Sequence, residues 1–148
     1  MKKNRKGRSK GDGRYLRVTH FMMGTAAWQS MSAYGRAAYL EIAALYDGAN
    51  NGYLAMGVRR MASAINVSEK TANKAIKELL ARGFIEVTEE SGFSRKDRRA
   101  TEFRLTDQNC DRTQRIASKA FQKWRGDVPM VANDVAASRS ESLDRRAA

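Results

Sequence analysis

Six polar side chains fall within nine residues: Glu69, Lys70, Thr71, Asn73, Lys74 and Lys77. Their chemistry suits hydrogen bonding to a polyanion that presents flat base edges. The Asn73 amide can bond an adenine edge in bidentate fashion, and the Lys70 amine can donate to guanine O6 and N7. Thr71 can touch a thymine methyl or a phosphate, and Glu69 can accept from a cytosine amine. Lys74 and Lys77 suit phosphates, which position a protein without reading sequence. A second cluster, Arg95, Lys96, Arg98 and Arg99, puts four cations into five residues. It suits a phosphate backbone or a narrow minor groove, where arginine is favoured. Arg59 and Arg60 add two cations upstream; each could clamp a phosphate or form a surface ion pair worth little.

These side chains need a rigid support, and the stretch from Val58 to Phe84 describes one. Val58, Met61, Ala62 and Ile65 recur at three- and four-residue spacing, so they share one helix face. Asn66 tolerates the left-handed backbone of a sharp turn. Val67 suits a plug between two crossing helices, and Ala62 is small enough for a close crossing. Ser68 is a good N-cap and stands at the start of the polar run, among the candidate contacts. The second helix buries Ala72, Ile76, Leu79 and Leu80, which turns the six polar residues outward. Gly83 ends it. Residues 84–89 then alternate and are rich in strand formers. The cationic loop follows, and residues 100–105 return as a second strand.

The pattern resembles bacterial helix-turn-helix proteins: Met61-Ala62, then Ile65-Asn66-Val67-Ser68, then Leu79 and Gly83-Phe84-Ile85. Asn66 stands where glycine is commoner in that family. With the hairpin, the resemblance becomes winged helix-turn-helix, over roughly residues 14 to 107. It is similar in particular to small replication-initiator-like and regulatory proteins of bacterial plasmids, phages and chromosomes. The resemblance implies an α+β, mostly α fold: a three-helix core, a β-hairpin wing and, here, an added C-terminal helix. It also implies a recognition helix in the major groove and a wing on the minor groove or backbone.

The rest of the chain is read around this unit. Residues 1–13 are a basic arm without a large apolar residue, expected to be disordered. Residues 14–109 form the expected domain. Within it, residues 14–23 read as a short strand or extended segment. His20 has no second His or Cys near it and reads as structural or surface. Residues 25–31 read as a short helix with Trp28 as a core anchor. A helix over 33–46 is expected to bury Ala37, Leu40, Ala44 and Leu45, with Tyr34 and Tyr39 flanking. Asn50 and Asn51 read as part of a tight connection into a strand at 53–56. An amphipathic helix is expected within 110–126, with Ile116, Ala120, Phe121 and Trp124 on one face. That face could pack on the domain or on a second copy. Residues 127–148 are polar and expected to be disordered.

The 148 residues carry a formal charge of +12, with pI near 10.3. The excess lies in residues 1–17 (net +7) and 18–125 (net +6); residues 126–148 carry −1. Such a surface attracts nucleic acid first. One cysteine excludes an internal disulfide and suits a reduced compartment. There is no apolar run of membrane-spanning length and no signal-peptide core, so the expected location is the cytoplasm, at the nucleoid. No glycine-rich phosphate loop, metal cluster or Cys–His motif points to an enzyme, a metal or a cofactor. No effector pocket is evident. The recognition helix carries no aromatic residue for stacking unpaired bases, which argues for duplex DNA over RNA. The expectation is therefore sequence-specific double-stranded DNA binding by a transcriptional regulator, with a homodimer through the C-terminal helix as a possibility. A replication or mobile-element accessory role and a protein–protein module on the same scaffold are the alternatives.

Overall fold

Among the described residues, four of the five α-helices begin where a hydroxyl side chain closes the first turn. The computed structural model describes residues 13–92 and 99–126. Thr19 caps α1 (His20–Met23), Thr25 caps α2 (Ala26–Gln29), Ser32 caps α3 (Ala33–Ala43) and Ser68 caps α5 (Glu69–Ala81). Only α4 (Val58–Ala64) starts without a side-chain cap, at Gly57. Each cap satisfies an amide that the helix itself leaves unpaired. The strands are β1 (Leu54–Ala55), β2 (Ile85–Glu89) and β3 (Glu102–Leu105), and a 3₁₀ turn spans Ala120–Lys123. The fold is thus mixed α+β and mostly helical.

The sheet is antiparallel throughout, in the order β1-β3-β2. β2 and β3 form the expected hairpin, and the short strand before α4 pairs with its return limb. Helix α5 packs against both α3 and α4. Met61, Ala62, Ala72, Ala75, Ile76 and Leu79 are buried between them. Asn66 takes φ 56°, so the sharp turn between α4 and α5 forms as its residue type allows. Below the helices, Trp28, Tyr39, Phe84 and Phe121 form an aromatic cluster with centroids 4.9–5.8 Å apart. Three of the contacts are edge-on, and Phe84 stacks on Phe121.

Three expectations are corrected. Residues 14–19 join no strand, and the chain turns helical at His20, where Thr19 caps it. The buried stripe of α3 is Gly35, Ala38, Tyr39, Ile42 and Ala43, so Leu40 and Ala44 face outward and Tyr39 is a core residue. The phase is fixed by Gly35, where an added Cβ would stand 2.7 Å from Met31 and 2.8 Å from Glu78. A side chain there would have to displace Met31 and the Glu78 carboxylate.

The third correction is the C-terminal helix, which does not form. Gln114 and Lys119 both adopt positive φ, 57° and 47°, and each breaks a right-handed helix. Backbone bonds to the domain replace the helical ladder: Asp111 N–H and Arg112 N–H donate to Asn51 O, and Lys119 N–H donates to Thr106 O. Phe121 is drawn into the core, Trp124 lies against Arg82 at 4.4 Å, and Ile116 is left exposed. The supposed apolar face is dispersed: the helix considered for packing on the domain or on a second copy is absent, and Phe121 and Trp124 pack on the domain. Gly83, at φ 78°, has a second role here, because a Cβ would stand 2.8 Å from Ala120.

Candidate nucleic-acid interface

Burial of Ala72, Ala75, Ile76 and Leu79 decides which side of α5 is free. Lys70, Lys74 and Lys77 then follow one line on the outward face, at i, i+4 and i+7. All three are exposed. None forms an ion pair among the described residues. Asn73 and Thr71 flank the line, half-buried, and Glu69 lies at its N-terminal edge. Lysines at this spacing repel one another by a few tenths of a kcal/mol per pair.

The start of the helix is more occupied than its middle. Ser68 Oγ accepts from Thr71 N–H at 3.2 Å and contacts Thr71 Oγ1 at 3.1 Å. Ser68 and part of Thr71 are therefore engaged in capping. Glu69 pairs with Arg59 at 3.4 Å, both well exposed. The pair links the first turns of α4 and α5. It also competes with the cytosine contact considered for Glu69 and the phosphate contact considered for Arg59. Arg60 is exposed and reaches only a long contact, 3.5 Å, with Ala55 O.

Arg95, Lys96 and Arg98 lie outside the described residues. Arg99 is described and turns back to the hairpin, pairing with Glu89 at 3.1 Å. At the last paired position of the hairpin, Glu89 and Glu102 stand opposite each other, next to a register shift between Val87 and Glu89. Like charges so placed repel. Arg112 bridges both carboxylates, donates to Gly52 O and lies over the Tyr53 ring at 5.0 Å. Thr88 Oγ1 donates to Gly52 O at 2.6 Å, closing the same corner. A side chain from the C-terminal segment thus holds the root of the hairpin.

Two further supports carry no signal in the local sequence. Asn51 is fully buried. Its Nδ2 donates to the carbonyls of Leu105, Gln108 and Asn109, and its Oδ1 accepts from Leu105 N–H at 2.7 Å. It ties the turn before β1 to the chain leaving β3. Glu78, on the inner side of α5, accepts from Ser32 N–H at 2.8 Å and Ser32 Oγ at 2.6 Å, so it completes the cap of α3. It also pairs with the buried Arg82, which donates to Ala27 O at 3.1 Å. Together these bonds fix the attitude of α5 on the domain.

On another face, the structure has a cleft of about 250 Å³ that was not evident from the sequence. Arg14, Arg17, Tyr39, Tyr46, Asp107 and Gln108 are among its lining residues. Burial raises the Asp107 carboxyl above its ordinary value, against opposing hydrogen bonds and the charge of Lys119. Burial, and then the charge of Asp107, raises the Tyr39 phenol. That phenol lies beside the carboxylate, yet Asp107 Oδ1 is sealed from solvent without a hydrogen bond of full geometry.

Among the described residues, no group of three His, Cys, Asp or Glu could hold a metal ion, and no helix is long and apolar enough to cross a membrane. No family model, curated protein or solved structure matches the chain.

Proposed function

We propose that the chain is a winged helix-turn-helix protein that binds double-stranded DNA in a sequence-specific manner, as a transcriptional regulator. The observation that carries this reading is the unpaired line Lys70, Lys74 and Lys77 on the outer face of α5. That helix is about 20 Å long at 1.5 Å per residue, and a helix of ordinary diameter fits the major groove. In this reading Asn73 and Lys70 meet base edges, while Lys74 and Lys77 meet phosphates. Arg60 lies near the α4 end and serves the backbone. The hairpin is the wing, and Arg95, Lys96 and Arg98 belong to its loop. Glu69 and Arg59 pair first with each other, in an exposed contact worth little that a bound duplex can displace.

The decisive experiment is fluorescence anisotropy of labelled duplexes across a range of salt, followed by genomic footprinting. Affinity should fall steeply as salt rises, since counterions are released from each neutralised phosphate. Duplex affinity indifferent to salt would sink the proposal and favour a protein–protein role. Paired, symmetric sites near promoters support transcription regulation. Repeated sites at an origin or at the ends of a mobile element would move the role to a replication or transposition accessory protein on the same surface.

A further inference from the structure

Glu69 is the one carboxylate among the six polar residues on the outward side of α5. It stands in the first turn, next to Lys70, where the residues of a groove-bound helix reach base edges. Among the described residues its side chain has one partner, Arg59, and the contact is thin: a single bond from Nε to Oε1 at 3.4 Å. The two side chains are 90% and 62% exposed. The second carboxylate oxygen and both terminal amino groups of Arg59 are unused in that contact. A carboxylate at a helix start is favoured by the dipole by about 0.3–1 kcal/mol, yet it works against any surface that must approach phosphates.

Once phosphates draw Arg59 away, the Glu69 carboxylate faces the groove with acceptors only. Guanine and thymine present acceptors there, at N7 and O6 or at O4. Adenine presents an amine with N7 beside it, whereas cytosine presents the N4 amine alone. A charged acceptor desolvated without a donor bears the whole penalty of an unpaired group.

We propose, resting on the duplex-binding reading of α5 above, that Glu69 sets specificity by exclusion. It requires cytosine at one position of the site and rejects guanine and thymine there. The same carboxylate holds down affinity for every duplex that lacks that cytosine. Arg59 shields it in the free protein and turns to the backbone when a duplex binds.

Selection of bound duplexes from a randomised pool, with the full chain, tests this. The parent should select cytosine at one position that Glu69→Gln alone relaxes, because glutamine both donates and accepts. In anisotropy titrations at 0.1 M salt, Glu69→Gln should bind a non-cognate duplex about tenfold more tightly and lower the ratio of cognate to non-cognate affinity about tenfold. Glu41→Gln makes the same change of charge on α3, which packs on the inner side of α5, and should leave that ratio as it was. Arg59→Ala should weaken binding to all sequences alike and keep the cytosine, which separates base reading from a mere loss of the ion pair. A Glu69→Gln variant that selects the same site as the parent overturns the proposal alone, with duplex binding intact. So does a Glu41→Gln variant that lowers the ratio equally. A parent without salt-dependent duplex affinity overturns the functional reading first, and this proposal with it.

Discussion

Replacing Lys74 and Lys77 by alanine separates a solvated charged face from a phosphate-binding one. Both side chains are exposed and unpaired among the described residues, so little native structure is at stake. Alanine is the better helix former, and removing the Lys70–Lys74 and Lys74–Lys77 repulsions should restore a few tenths of a kcal/mol each. The double variant should therefore melt at the same temperature or slightly higher. DNA binding should move the other way. Each phosphate contact contributes about −0.9 to the slope of log K against log salt. If about six side chains neutralise phosphates, the parent slope is near −5, and the double variant should lose about 1.8 of it. At 0.1 M salt that is roughly a 60-fold loss of affinity, converging on the parent toward 1 M. Asn73→Ala supplies the contrast. It should cost about 1–3 kcal/mol on a cognate duplex with the slope unchanged. Anisotropy titrations at four or more salt concentrations read both quantities. Parallel slopes for parent and double variant would refute the assignment of the lysine line to phosphates, whatever the affinities.

Three other outcomes follow from the surrounding structure. Asn51→Leu removes four buried or part-buried hydrogen bonds and strands the Leu105 amide and carbonyl, so urea denaturation should show a loss of about 3 kcal/mol. Asp107 has a folded pKa above its unfolded value, so its folded state holds the proton more tightly. Its stabilising contribution is present below the unfolded value and is lost as pH rises through the folded one. Asp107→Asn should then be more stable than the parent at pH 7, by an amount that shrinks as pH falls toward about 4, in thermal melts across pH. Arg112→Gln leaves Glu89 and Glu102 facing each other at the hairpin root, and duplex binding at low salt should weaken about tenfold. Adding Glu89→Gln and Glu102→Gln should restore it, which a simple loss of packing by Arg112 would not allow.

The parts legible in the sequence were those decided by neighbours in the chain. Ser68 caps α5 because a hydroxyl and the third amide after it are always within reach. Asn66 turns left-handed because few other residues can. The spacing of Ala72, Ile76 and Leu79 puts Lys70, Lys74 and Lys77 outside, whatever the helix packs against. The phase of α3 was not legible in the same way. Its sequence is apolar on several sides, and the choice is made by Gly35, through an approach of α5 that lies more than forty residues away. Periodicity failed altogether at 111–125. Ile116, Ala120, Phe121 and Trp124 have helical spacing, but Asn51 offers its carbonyl to Asp111 and Arg112, and the core offers Phe121 a stacking partner in Phe84. Tertiary bonds outweighed a local preference of tenths of a kcal/mol per residue. The cleft was invisible for a related reason: Arg14 and Asp107 come to line one cleft only in the folded domain.

The C-terminal segment changes how the candidate interface should be understood. As a separate helix it would be a removable addition, available to a second copy. As observed, it is part of the scaffold. Phe121 completes the aromatic cluster under Phe84, the first residue past the turn that ends α5. Arg112 neutralises the acidic mouth of the hairpin, and Asn51 N–H donates to the carboxylate of Asp111 just before it. The lysine line and the hairpin root are therefore fixed to one body by the same fifteen or so residues. In a two-element DNA reader, the angle between helix and hairpin decides whether both can engage one duplex, and an error near 1 Å is costly in any preorganised site. Under the proposed reading the segment beyond β3 thus helps to set that angle, since Phe121 and Trp124 pack into the domain's own interior.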